Sequence, residues 1–342
     1  MTVDKDKLNN IFILDKTDKH VAILIQNPPD PDCLGAAAAF KLLLSHVYEL
    51  ETKIYHFGEV SHPQNKSMVN VLQIDLVSGE EIKPDSICKT VVLDTDLMAT
   101  GFRNKDITKV DVRIDHHNMD RDEPPELKDI RPVGSTCSIV WEYLKAFEVP
   151  IQDHPLVATA LILGIKTDTL DFTSSTTSDL DMSAFHDLIQ YVDRAALAKV
   201  TNFPLPKSQF EVEVKAFESR HTHEGVLLSF IGEITEHNRD MISTIADRFA
   251  RMDTISTVVI MAVVNNYLVA SVRSQDSRVS VSKLCSEVFG KKYSGAKEGS
   301  GGAKIPLGTA FELTECKSTR DAVMGEIVSS IKHKVFESLG EN

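Results

Sequence analysis

Cysteine is scarce in this sequence: Cys33, Cys88, Cys137, Cys285 and Cys316 are odd in number, widely scattered and never spaced C-x-x-C. That pattern excludes a disulfide framework and a zinc knuckle, and the expected setting is a reducing cytoplasm. Positive charge is also short. Lys plus Arg total 37 against 50 for Asp plus Glu, a net charge of −13, so a protein that coats long duplex DNA is not expected. Long apolar runs are missing too: the most apolar stretch, 257–264, falls far short of the ~20 residues of a membrane helix. The N-terminal segment lacks the apolar core of a signal peptide, so no membrane association is expected. Neither a solenoid repeat nor a low-complexity tract is visible.

What is there is ordinary globular composition, 42% hydrophobic and 25% charged over 342 residues, which at roughly 150 residues per domain predicts two domains. The first half interleaves strand-like runs (21–25, 53–56, 90–93, 110–114) with helical stretches at 34–44 and, capped by Ser135-Thr136, up to Ala146. Such alternation predicts an α/β fold with a mostly parallel sheet. A polar helical stretch follows, broken by Pro204 and Pro206, and a strand-rich unit begins at Val226. The expected division is a first domain over 1–190, a linker over 191–223 and a smaller α/β domain over 224–342. Within the latter, 299–308 reads as a glycine-rich loop.

In the first domain the acids fall in a telling place. Apolar runs lead to Asp30 and Asp32, to Asp94, to Asp115-His116-His117, and, from a helix-like LILGI, to Asp168. The carboxyl ends of parallel strands share one edge, so these groups should converge. Converging carboxylates repel one another unless cations neutralise them, and divalent metal is the economical reading. Asp and His donors without thiolate favour Mn²⁺ or Mg²⁺, then Fe²⁺ or Co²⁺, over zinc. Two such ions activate water and stabilise displacement at phosphorus. Taken singly, each residue could equally be a turn former or a cap; the ordered set is what is specific.

The set Pro29-Asp30-Pro31-Asp32-Cys33-Leu34-Gly35, Leu93-Asp94-Thr95-Asp96, Ile114-Asp115-His116-His117 and Gly164-Ile165-Lys166-Thr167-Asp168-Thr169 resembles the signature motifs of the DHH phosphoesterases. The segment Gly299–Gly308 resembles the glycine motif of the DHHA1 domain, as in the nanoRNase and adenosine-bisphosphate phosphatase subgroup. The resemblance implies two Mn²⁺ ions, with Mg²⁺ or Co²⁺ as substitutes. Asp30 would belong to the first ion and Asp32 to the second; Asp94 would bridge them, and His116 and Asp168 would complete the second site. His117 would face the scissile phosphate and Asp115 would orient the histidines. Two departures stand out. Gln26 occupies the position where the family carries a histidine ligand, and the usual G-G-H is Gly301-Gly302-Ala303.

The second domain carries a local basic cluster, Lys291, Lys292, Lys297 and Lys304 with Arg273 and Arg278, in an otherwise acidic chain. Arg273, Ser274, Gly301, Gly302 and Lys304 are the expected substrate-binding residues. Trp141 reads as core. The expected activity is hydrolysis of short single-stranded oligonucleotides to nucleoside monophosphates, or of adenosine 3′,5′-bisphosphate to AMP. Cyclic or linear dinucleotides are the alternative substrates, and a catalytically decayed nucleotide-binding regulator is the alternative of another kind. A homodimer follows from the resemblance alone.

Overall fold

The computed structural model describes residues 3–14, 18–60, 62–117, 124–297 and 299–340. The chain divides into two compact units, 1–204 and 205–342. In the first unit the elements run α1 (Lys5–Phe12), β1 (His20–Leu24), α2 (Pro31–Tyr48), β2 (Thr52–His56), α3 (Pro63–Val71) and β3 (Leu76–Ser78). There follow β4 (Ile87–Leu93), α4 (Leu97–Thr100), β5 (Val112–Asp115), β6 (Leu127–Ile130), α5 (Thr136–Ala146), α6 (Pro155–Asp168), α7 (Asp179–Leu188) and α8 (Arg194–Thr201). The six strands form one parallel sheet in the order β3-β2-β1-β4-β5-β6.

Both faces of that sheet are buried, which is why its central strands read as unbroken apolar runs rather than alternating ones. In β1 and just after it, Val21, Ile23 and Ile25 join a large core with α2, α5 and α6, while Ala22 and Leu24 face a smaller one with Tyr55, Val92 and Phe102. Glycine allows the helices to approach closely. A Cβ on Gly35 of α2 would lie 2.6 Å from the Ala160 carbonyl oxygen of α6, and one on Gly164 of α6 only 3.0 Å from Cα of Asp32. The short edge strands β3 and β6 were not expected from the sequence, because three or four residues carry too little periodicity.

The second unit comprises α9 (Lys207–Glu218), β7 (His221–His223), β8 (Val226–Ile234), α10 (Met241–Phe249), β9 (Thr257–Val264) and β10 (Tyr267–Ser274). It continues through α11 (Val281–Cys285), β11 (Ser294–Lys297), β12 (Ser300–Pro306), α12 (Thr309–Glu312) and α13 (Lys317–Leu339). Its mixed sheet has the order β11-β12-β10-β9-β8-β7, with only β8 and β9 parallel. Alternate residues of β9 serve two cores: Val259, Met261 and Val263 on one face, Val258, Ile260 and Ala262 on the other.

Two expectations need correction. The stretch 191–223 is not a separate linker: α8 packs on α3 and α6 of the first unit, and α9 packs on β8 and α10 of the second. The glycine-rich segment is not a loop, for 300–306 is strand β12, paired with β10 and β11 on its two sides. Glycine suits that strand because the neighbouring layer comes close: a Cβ on Gly301 would lie 2.7 Å from the Cys285 sulfur. No helix among the described residues is long and apolar enough to cross a membrane.

Candidate metal centre

Each acid of the first unit is delivered by the end of an element. Asp30 is the N-cap of α2, its carboxylate accepting from the Cys33 amide at 3.0 Å, and Asp32 sits in the same helix's first turn. Asp94 follows β4 at φ 62°, a left-handed conformation that aspartate tolerates better than most residues. Asp115 ends β5, with His116 and His117 directly after it, and Asp168 ends α6. A carboxylate at the C-terminus of a helix meets the negative end of the helix dipole, so this placement of Asp168 calls for a cation nearby.

The groups converge as the strand-edge rule requires. His116 Nε2 lies 3.2 Å from Asp168 Oδ2, 3.4 Å from Asp94 Oδ1 and 3.9 Å from Asp32 Oδ2. Two three-residue sets, Asp32/His116/Asp168 and Asp94/His116/His117, each bring their donor atoms within 4.8 Å of one another. His116 Nδ1 is 3.1 Å from the Val133 carbonyl oxygen. A carbonyl only accepts, so Nδ1 carries a hydrogen and Nε2 is turned on the carboxylates, where it makes no hydrogen bond. Asp94 Oδ2 is likewise buried without a partner. Buried polar atoms rarely go unpaired, and an imidazole nitrogen and a carboxylate oxygen left so, among further carboxylates, are the donor set of a hard divalent cation.

Electrostatics agree with the geometry. Burial, then the charges of Asp32, Asp30 and Asp168, drive Asp94 far above the usual carboxylate range, against the Thr136 hydrogen bond. Asp32 rises through burial and Asp168, despite His116, Cys137 and Ser135. Asp30 is pushed up to about 6, mainly by burial and Asp168. Burial pulls His116 down, but Asp168 and Asp32 outweigh it and raise the ring to about 9.

A second layer of donors was not expected from the sequence. Ser135 is the N-cap of α5, as expected, but its hydroxyl also donates to Asp32 Oδ1 at 2.5 Å. The amides of Thr136 and Cys137 donate to the same carboxylate at 2.7 and 2.9 Å, and Thr136 Oγ1 donates to Asp94 Oδ1 at 2.8 Å. The start of α5 therefore grips two of the acids. Behind it, the buried Asp181 accepts from the Gly134 amide at 2.8 Å and from Ser138 Oγ at 2.6 Å, bracketing that turn. Only the cap signal at Ser135-Thr136 hinted at this arrangement. Arg113, 2% exposed, donates to Asp115 Oδ2 at 2.6 Å, while His117 donates to Asp115 Oδ1 through its backbone amide and Nδ1 at 2.9 and 3.0 Å. Burial opposes ionisation of Asp115, yet the bonds from His117 and Arg113 prevail and hold it below the usual carboxylate range. The Gln26 amide reaches the Asp30 carboxylate, which places it beside the acids.

The expected substrate residues of the second unit do not form one group. Register puts Arg273, Gly302 and Lys304 on one face of the sheet, whereas Gly301 and Ser274 face the other way. Ser274 is buried, its hydroxyl 3.0 Å from that of Thr257. Arg273 is ion-paired with Asp247 at 2.5 Å, and Arg278 with Asp276 at 2.6 Å. Trp141 is core, its indole donating to Asp187 at 3.1 Å.

A parallel α/β unit with an aspartate–histidine cluster on its carboxyl edge defines a class of divalent-metal proteins, and comparison with known sequences narrows it. Residues 20–165, within the first unit, match the DHH family, N-terminal domain, so the first unit carries that family's domain. An uncharacterized protein of Methanocaldococcus jannaschii is 32% identical over 333 residues, 96% of this chain and 66% of the relative. A "probable manganese-dependent inorganic pyrophosphatase" of Lactobacillus delbrueckii subsp. bulgaricus is 26% identical over 165 residues, 47% of this chain and 51% of the relative. The chain thus spans about two thirds and about half of these relatives' lengths. The crystal structure of an exopolyphosphatase-related protein of Bacteroides fragilis shares the fold, with TM-score 0.66, 13% identity and 96% of each chain covered.

Proposed function

We propose that this chain is a metal-dependent phosphoesterase that hydrolyses short oligonucleotides to nucleoside monophosphates, or adenosine 3′,5′-bisphosphate to AMP. The observation that carries the metal chemistry is His116 Nε2, unpaired and turned on Asp32, Asp94 and Asp168. Asp32, Asp94, His116 and Asp168 would hold one ion, and Asp30 with Asp94, beside Gln26, a second. Mn²⁺ fits these donors, and a relative described as manganese-dependent supports it. When bound, such ions supply Lewis-acid polarisation and charge neutralisation at a phosphoryl group.

The chain's own residues supply the rest. Asp115, charged and fixed by Arg113, accepts the Nδ1 hydrogen of His117 and sets that ring's orientation. Nε2 of His117 is then the nitrogen free to pass a proton to the leaving oxygen. The side chain is one-third exposed, so a substrate can reach it. The α5 turn keeps Asp32 and Asp94 in place throughout, so the cluster need not reorganise during reaction.

The test is incubation of the protein with Mn²⁺ and a 5′-phosphorylated diribonucleotide, adenosine 3′,5′-bisphosphate or inorganic pyrophosphate, with products separated by chromatography. Metal-dependent release of mononucleotide or AMP, abolished by Asp94→Ala, is the expected result. Turnover of pyrophosphate alone would replace the nucleotide reading, and Asp94→Ala activity near that of the parent would overturn the site.

A further inference from the structure

The turn that opens α5 is held from behind by one carboxylate. Asp181, in the first turn of α7, is fully buried. Its Oδ2 accepts from the Gly134 amide at 2.8 Å, the Ser178 amide at 2.8 Å and the Ser178 hydroxyl at 2.6 Å, and its Oδ1 accepts from the Ser138 hydroxyl at 2.6 Å. Gly134 and Ser138 flank the segment 135–137. That segment faces the other way with its own donors: Ser135 Oγ and the Thr136 and Cys137 amides to Asp32, and Thr136 Oγ1 to Asp94. The same short stretch of chain thus links Asp181 to two of the clustered acids.

This is more than capping of α7. A capping box needs only the bonds to Ser178, whereas those to Gly134 and Ser138 span 47 and 43 positions and serve α5. A buried carboxylate is tolerated only where its oxygens are hydrogen-bonded, and Ser138 is what satisfies Oδ1. Gly134 is also pinched: a Cβ there would lie 2.8 Å from Asp181 Oδ2 and 2.6 Å from Thr169 Cγ2. Thr169 directly follows Asp168, and its hydroxyl is fixed by the Ile165 carbonyl oxygen at 2.6 Å. At Gly134, then, the α5 turn abuts both Asp181 and the end of α6 that carries Asp168, and α7 packs on α5 and α6 alike.

We infer that Asp181 is a positioning residue of the metal centre: by fixing both ends of the segment 134–138 it holds the Ser135–Cys137 donors on Asp32 and Asp94, and so sets affinity for the divalent cation. The inference rests on the metal reading above and concerns the ion rather than the substrate. Hydrogen-bond partners of ligating groups govern metal affinity by roughly 10–100-fold, and Asp181 acts through those partners.

The test is isothermal titration of the full chain with Mn²⁺, without substrate, at a temperature where circular dichroism shows each variant folded. Asp181→Ala should weaken Mn²⁺ binding roughly tenfold. Asp181→Asn keeps the shape and an oxygen for Gly134 and Ser178, and the Ser138 hydroxyl can turn to accept from its amide, so its affinity should stay close to that of the parent. Ser138→Ala removes a single bond and should weaken binding less, with no further loss when added to Asp181→Ala; it carries the test should Asp181→Ala not fold. Asp111 supplies the control, a buried aspartate that accepts from the Thr90 amide at 2.8 Å just before β5, at the sheet edge opposite the cluster. Asp111→Ala should lower the melting temperature and leave Mn²⁺ affinity unchanged. Parent-like affinity in folded Asp181→Ala, or in Ser138→Ala if that stands in for it, would overturn the inference and leave Asp181 a fold-stabilising link like Asp111. A parent chain that binds no Mn²⁺ would overturn the metal reading itself, and the inference with it.

Discussion

Asp94 sits under heavy electrostatic strain in the cluster. It is buried, one oxygen lacks a partner, and Asp30, Asp32 and Asp168 all repel it. Replacing it with Asn removes one of the crowded charges and keeps an oxygen for Thr136. In EDTA the Asp94→Asn variant should therefore melt higher than the parent, at about 2–4 °C per kcal/mol gained for a unit of this size. In Mn²⁺ the order should reverse, because the variant has lost a ligand. A lower melting temperature in EDTA would show that Asp94 is satisfied without metal. His20, at the start of β1, offers a separate reading of pH. Its ring shares a 2.9 Å hydrogen bond with Tyr55 Oη, and burial, helped by Lys53, holds it below its ordinary value of 6.5. Below 6.5 the unfolded chain takes up the proton before the folded one, so stability rises with pH through that window and is lost as pH falls. His20→Gln should flatten this slope in urea titrations between about pH 5 and 7; an unchanged slope assigns acid sensitivity to other groups.

At the scale of elements, the metal cluster depends on how closely α2, α5 and α6 pack. Gly164 of α6 leaves no room for a methyl group: its Cβ would sit 2.5 Å from the Cys137 sulfur and 3.0 Å from Cα of Asp32. Gly164→Ala should push α2 and α5 off α6, destabilise the first unit by about 1–3 kcal/mol and weaken Mn²⁺ binding in isothermal titration, although residue 164 carries no ligand. Wild-type metal affinity in that variant would mean that Asp32 tolerates the shift. Elements also show what was legible beforehand. The strands at 21–25 and 257–264 and the cap at Ser135 could be read directly, because burial on both faces leaves an unbroken apolar run and capping leaves a Ser-Thr signal. β12 could not, since its glycines answer to the approach of Cys285 and Val281, residues well separated from it in the chain.

At the scale of the whole molecule, two units with separate cores should unfold as separate steps. Calorimetry of the full chain should resolve two transitions, and Mn²⁺ should raise only that of residues 1–204, by about 2.7 kcal/mol at a hundredfold excess over the dissociation constant. A single transition raised as a whole would show that the units unfold together. The sequence by itself determined the α/β class, the ordered set of acids and histidines and the acidic balance of the chain, because strand-end placement and composition are local properties. Only the tertiary structure decided which atoms meet. His116 Nε2 faces three carboxylates because Val133 holds the other side of its ring, and the start of α5 grips Asp32 and Asp94 from over forty positions away along the chain. Likewise Gly301 and Ser274 turn from Gly302 and Lys304 because pleating sends alternate residues to opposite faces. Such pairings follow from register and helix approach, which many local sequences could satisfy and only the packed chain selects.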